Sequence, residues 1–172
     1  MRTSRQTHHL TLSFNLLESR ILRHVLEQIR RNYTCRPEEL DPRVASAWYS
    51  TRGCKSAGMT AEETREWVAN LREIKGNCLP LLEQWCGQLA APQEGHVQLR
   101  LKLDDAATLL TALNDQRLLA ASGSDIGQTE MDLHSPTDIA TLPAAQQNAL
   151  FQIHFLALVM EEILAQLSDG SP

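Results

Sequence analysis

Residues 97–126, VQLRLKLDDAATLLTALNDQRLLAASGSDI, hold the change of hydrophobic period that decides the fold class. Over 97–103, apolar and polar residues alternate. This puts Val97, Leu99, Leu101 and Leu103 on one face of a strand and Gln98, Arg100 and Lys102 on the other. After Asp104 and Asp105 the period becomes helical, and the two carboxylates suit the positive end of a helix and can accept from its free amides. Leu110, Leu113, Asn114, Arg117, Leu118 and Ala121 then share one stripe at i, i+3, i+4 spacing. An amide and a guanidinium are therefore expected on the packed side of this helix.

The same strand-to-helix grammar occurs near the N-terminus. Leu10, Leu12 and Phe14 alternate with polar residues, and Asn15 with Glu18 three residues on forms a capping-box pattern. Leu10, Leu12, Phe14 and Asn15 match Leu99, Leu101, Leu103 and Asp104 at a constant offset of 89. Helix 16–31 places Ile21, Leu22, Val25, Leu26 and Ile29 on one side and Arg20, Arg23, Glu27, Arg30 and Arg31 on the other. Asp41 and Pro42 open a short helix, and Thr60 with Glu63 opens a helical region to Leu89 that Gly76, Asn77 and Pro80 kink or divide. A polar stretch, 122–142, containing Gly123, Gly127 and Pro136, is longer than ordinary connections and reads as a loop or flap. The last helix, 143–167, is apolar on most sides and is expected to be surrounded by its neighbours. The predicted fold is α+β and predominantly α. One domain, 1–172, carries a two-stranded sheet and about five helices around the apolar C-terminal helix, with flexible ends at 1–8 and 168–172.

Composition narrows the function classes. The chain of 172 residues is 42% hydrophobic but only 5% aromatic, a balance suited to helices packed through aliphatic side chains. Its net charge of −5 is uneven: residues 1–52 hold nine Arg against five acids, and residues 53–172 hold seven bases against sixteen acids. Cys35, Cys54, Cys78 and Cys86 form no CxxC pair, so a disulfide framework is not expected. Residues 1–15 are polar with scattered Arg. The longest apolar tract, 149–160, is interrupted by Gln152 and His154 and ends at Glu161 and Glu162. The expectation is a cytoplasmic protein without a membrane span.

No motif supplies a cofactor or metal site. His8, His9, His24, His96 and His134 lack tetrahedral-ligand spacing, and there is no phosphate-binding glycine pattern or serine-hydrolase elbow. Trp48, Tyr49, Trp67 and Trp85 are read as packing residues rather than a base-stacking platform. Two clusters carry the functional expectations. In the first, Arg117 pairs with Glu161 on the final helix while Asn114 steadies the pair, a clamp whose loss in Arg117→Ala is expected to cost roughly 3 kcal/mol. With Asp115 and with His154, seven residues before Glu161, the same residues form the alternative acid-base site of an enzyme. In the second, Arg20, Arg23, Arg30 and Arg31 form a basic helix face for phosphates, interrupted by Glu27.

The strand 101–103, the acidic start Asp104–Asp105 and the run Leu113, Asn114, Asp115, Arg117, Leu118 resemble a bacterial family of unknown function, best represented in actinobacteria. Its members carry a Leu-Asn-Asp-x-Arg-Leu helix. Glu161 in an apolar last helix and Glu18 in the first helix fit the same pattern, while the continuation after Ala121 and Leu158, where an aromatic is common, depart from it. The resemblance implies a cytosolic, mainly helical fold, often encoded near an adaptor of the Clp protease and sometimes labelled a transcriptional regulator. The leading expectation is a non-enzymatic interaction or regulatory protein with a protein partner and no cofactor. DNA binding through the Arg face and an enzyme around Arg117, Asp115, His154 and Glu161 are the alternatives.

Overall fold

The computed structural model describes residues 1–6, 8–91, 95–133 and 135–168. The chain is mostly helical with a small antiparallel sheet, as the periodicities predict, and it divides into two compact units, Met1–Ser13 with Arg100–Pro172, and Phe14–Leu99.

The sheet has three strands rather than two, in the order β1 (Arg2–Gln6), β2 (His9–Asn15) and β3 (His96–Lys102). β2 and β3 are the two expected strands: Leu10, Leu12, Phe14, Val97, Leu99 and Leu101 are all buried, and their polar alternates are not. β1 occupies residues expected to be a flexible end. Its sequence, RTSRQ, has no apolar alternation, so hydrophobic pattern is silent, and the strand forms by backbone pairing from Arg2 opposite Ser13 to Gln6 opposite His9.

In the unit Phe14–Leu99, helix α1 (Leu16–Thr34) starts at the expected capping box, where Asn15 Oδ1 accepts from the amides of Leu17 and Glu18 at 2.9 Å. Its Leu22, Val25, Leu26 and Ile29 pack along α5 (Leu79–Leu89), which contributes Leu82, Trp85 and Leu89 to the core. Between them lie α2 (Pro42–Trp48), α3 (Arg52–Ser56) and α4 (Ala61–Asn77), and the expected break falls at Cys78. α4 is largely solvent-facing, with Trp67 and Ile74 exposed, and its buried side chain is a lysine. The Lys75 ammonium lies over the rings of Tyr33, Trp48 and Tyr49, at 5.1, 5.4 and 6.0 Å from their centroids. Tyr33 and Trp48 meet edge to face at 5.2 Å. Three negative ring faces thus hold a cation that burial would otherwise disfavour.

In the other unit, α6 (Ala106–Gly123) packs along α9 (Ala144–Ser168), and β1 rests on α9. Thr3 Oγ1 donates to Glu162 at 2.7 Å, and the Arg5 guanidinium donates to the carbonyls of Gln166 and Leu167, where a helix end leaves acceptors open. Asp104 and Asp105 do not cap α6 with their side chains; they form a 3-10 turn, Leu103–Asp105, that leads into it.

The segment 122–142 is not a structureless flap. It contains α7 (Gln128–Met131) and α8 (Pro136–Ile139), and its Ile126, Met131, Ile139 and Leu142 pack on Ala149, Leu150 and Ile153 of α9. Asp125 turns the chain out of α6 in the left-handed region, φ 51°, which lets the Ile126 amide donate to Ala121 and sends the Ile126 side chain inward. Of the end expected to be flexible, Ser168 closes α9, and residues 169–172 lie outside the described residues, as does His134.

Candidate functional site

The face of α6 that meets the core is rotated from the predicted stripe. Ala106, Leu109, Ala112, Leu113 and Gln116 are buried, whereas Asn114 is exposed and Leu118 is 52% exposed. Two of the buried residues are alanines, which give no leucine-like signal, and leucine spacing alone misplaced the seam by about one residue, or some 100° of helix.

The expected clamp does not form. Arg117 directs Nη1 to Met160 Sδ at 3.9 Å, and its buried Nε has no hydrogen-bond partner. Glu161 is exposed and makes no ion pair with Arg117 among the described residues; Glu162, the neighbouring acid, is taken by Thr3. His154 approaches the Met131 carbonyl with Nε2 at 3.4 Å, on a different part of α9. Arg117 and His154 therefore meet different partners, and Arg117 and Glu161 are not brought together as an ion pair.

The Arg face of α1 is exposed at Arg20, Arg23, Arg30 and Arg31 as expected, but acids interleave it. Arg23 Nε binds Glu27 at 2.8 Å, and Arg30 stands 4.0 Å from Glu83 of α5. Half of the proposed phosphate track is thus matched by carboxylates that would repel phosphate.

What the structure brings together instead is an apolar cleft on α9. Pro136, Ile139 and Ala140 form one wall; Phe151, His154, Phe155 and Leu158 form the other, enclosing about 390 Å³. Phe151 and Phe155 stack with centroids 6.5 Å apart and planes 7° apart. Phe151 is 58% exposed and Leu158 57%, so the helix expected to be surrounded leaves an apolar ridge in water. Gln147 fixes the upper end by donating to the Leu142 carbonyl at 2.7 Å.

The stretch of chain that builds this cleft carries acids and no Lys or Arg. From Leu118 to Ser168 there is no Lys or Arg, while Asp125, Glu130, Asp132, Asp138, Glu161 and Glu162 are present. Asp138 lies within α8 beside the cleft wall, and exposed Glu161 lies three residues beyond Leu158. The sequence signal for the site was this missing basicity; the ridge itself was hidden because α9 is apolar nearly all round. α9 is also the one helix among the described residues long and apolar enough to cross a membrane, with mean hydropathy 1.4 over its best window. No family model, curated protein or solved structure matches the chain.

Proposed function

We propose that the protein is a non-enzymatic protein-interaction module of the cytoplasm, which docks a partner on the α9 cleft. The carrying observation is the exposed pair Phe151 and Leu158 beside an apolar cleft lined by Pro136 and Ile139. Aromatic and aliphatic residues in a concave, partly dry patch are what interface cores use. The contacts of Arg117 with Met160 and of His154 with the Met131 carbonyl lend the acid-base reading less support than the cleft lends to docking. The likeness of 101–118 to a bacterial family with regulatory associations is compatible with this role and is part of the same proposal.

The test is photo-crosslinking in cells with benzoylphenylalanine placed at Phe151, at Leu158 and, as a control, at exposed Ser122 of α6. The expected result is a discrete adduct with another protein from the two cleft positions and none from Ser122. Absence of an adduct at both cleft positions in folded, expressed protein overturns the proposal.

A further inference from the structure

Building on the docking role just proposed, we infer that the α9 cleft takes a cationic amphipathic helix: a partner segment with an apolar stripe flanked by Lys and Arg. Geometry sets the shape. Phe151 and Leu158 are seven residues apart on one helix, so their ridge extends about 10.5 Å along the axis. An incoming helix presents anchors at the same i, i+3, i+4, i+7 intervals, so its side chains can enter between this ridge and the wall of Pro136, Ile139 and Ala140. The stacked Phe151 and Phe155 give a flat, rigid flank, which costs little ordering when covered.

Charge sets the sign. The residues lining the cleft are uncharged, and the acids nearest in the chain are Asp138 within α8 and Glu161 one turn beyond Leu158. No cation lies anywhere from Leu118 to Ser168 to offset them. The remaining cations of this unit, Arg2, Arg5, Arg100, Lys102 and Arg117, belong to β1, β3 and α6; Arg5 is occupied at the last turn of α9, and Arg117 is half-buried against Met160. An apolar groove with an acidic rim selects partner helices with basic flanks, speeds their encounter and rejects acidic ones. The same rim disfavours the anionic surface of a bacterial or cytoplasmic-leaflet membrane, which attracts basic segments rather than acidic ones. A protein helix therefore accounts for both the apolar and the charged features, whereas a lipid surface accounts for the apolar one alone.

The test uses the full chain and three fluorescein-labelled synthetic helices of about 18 residues, a length that presents five turns to the groove. One carries a Leu stripe with Lys and Arg on the other faces, one has the same stripe with Glu in place of every base, and one has the basic composition in scrambled order. Anisotropy titration is expected to show binding of the basic helix at least tenfold tighter than either control. Binding should weaken as salt rises and fall at least tenfold in Phe151→Glu and Leu158→Glu. Both positions are exposed, and circular dichroism confirms that the variants fold. If the acidic helix binds as well as the basic one, or if no helix binds while the cell adducts at Phe151 persist, the partner chemistry is wrong and the docking role stands. If no helix binds and the adducts are absent too, both fall. Dimerisation in sedimentation that is lost in Phe151→Glu, or flotation with phosphatidylcholine vesicles, overturns the inference in favour of a second copy or a membrane.

Discussion

Replacing Lys75 by methionine removes one charge from the middle of three rings while keeping an unbranched stem of similar length. The ammonium lies 5.1 to 6.0 Å from the centroids of Tyr33, Trp48 and Tyr49, and the residue is only 7% exposed. A desolvated cation over aromatic faces is stabilising by about 2 kcal/mol or more, against which stands the cost of drying the ammonium. The side chain is also the one α4 buries, so its contribution falls on the docking of a whole helix. We expect Lys75→Met to lose about 2 kcal/mol, which for a unit of this size lowers the midpoint by roughly 8 to 16 °C. Urea unfolding followed by tryptophan fluorescence measures it, because Trp48 is in the cage and Trp67 is on α4. A double-mutant cycle with Trp48→Leu should return a coupling of about 1 kcal/mol or more. Lys75→Met as stable as the parent, with no coupling to Trp48, would overturn a stabilising role for the caged cation. It would mean that desolvation cancels the ring attraction and that α4 is held by its aliphatic contacts.

Four further outcomes are expected. Arg117→Met should be neutral or stabilising, because it removes a buried Nε without a partner and leaves no orphaned acid; a loss near the roughly 3 kcal/mol expected of a clamp would restore the ion pair. Asp125→Gly should raise stability by about 0.5–1 kcal/mol by relieving the left-handed turn, and Asp125→Val should lower it, both read by thermal unfolding. Glu63 is held below the usual carboxylate range by hydrogen bonds from the Thr60 amide first and its hydroxyl second. The resulting stability is present above the unfolded carboxylate pKa and is lost as pH falls through the lower folded value, so the deficit of Glu63→Gln at neutral pH should shrink on acidification. Burial, then the Glu27 carboxylate, pushes the Cys86 thiol up, so Cys86 should alkylate more slowly at pH 8 than in the unfolded chain, and Glu27→Gln should speed it.

The parts of the fold legible in the sequence are those in which the signal is local. The capping boxes at Asn15 and Thr60, and the buried faces of β2 and β3, follow from spacings of two or three residues, and all are present. β1 was hidden because an edge strand needs backbone pairing rather than apolar side chains. The α6 seam was misplaced because Leu118 imitates a core residue yet is exposed, while the small Ala112 is buried. The Lys75 cage draws its rings from α1, the end of α2 and the residue after it, and no local pattern joins residues so far apart in the chain. The α9 cleft was illegible for the opposite reason: a helix apolar on every side gives no clue which side is left uncovered.

The pairing of β1 with both β2 and the end of α9 has a consequence for how the protein is made. Thr3 and Arg5 leave the ribosome 159 to 162 residues ahead of their partners Glu162, Gln166 and Leu167. Phe14–Leu99 is continuous in the chain and can complete its core during synthesis, while the unit joining Met1–Ser13 to Arg100–Pro172 must hold Met1–Ser13 in waiting until α9 has been made. The cleft-bearing half of the protein is therefore finished only when every residue of α9 has been released, so a stalled or truncated chain has no assembled docking surface to offer.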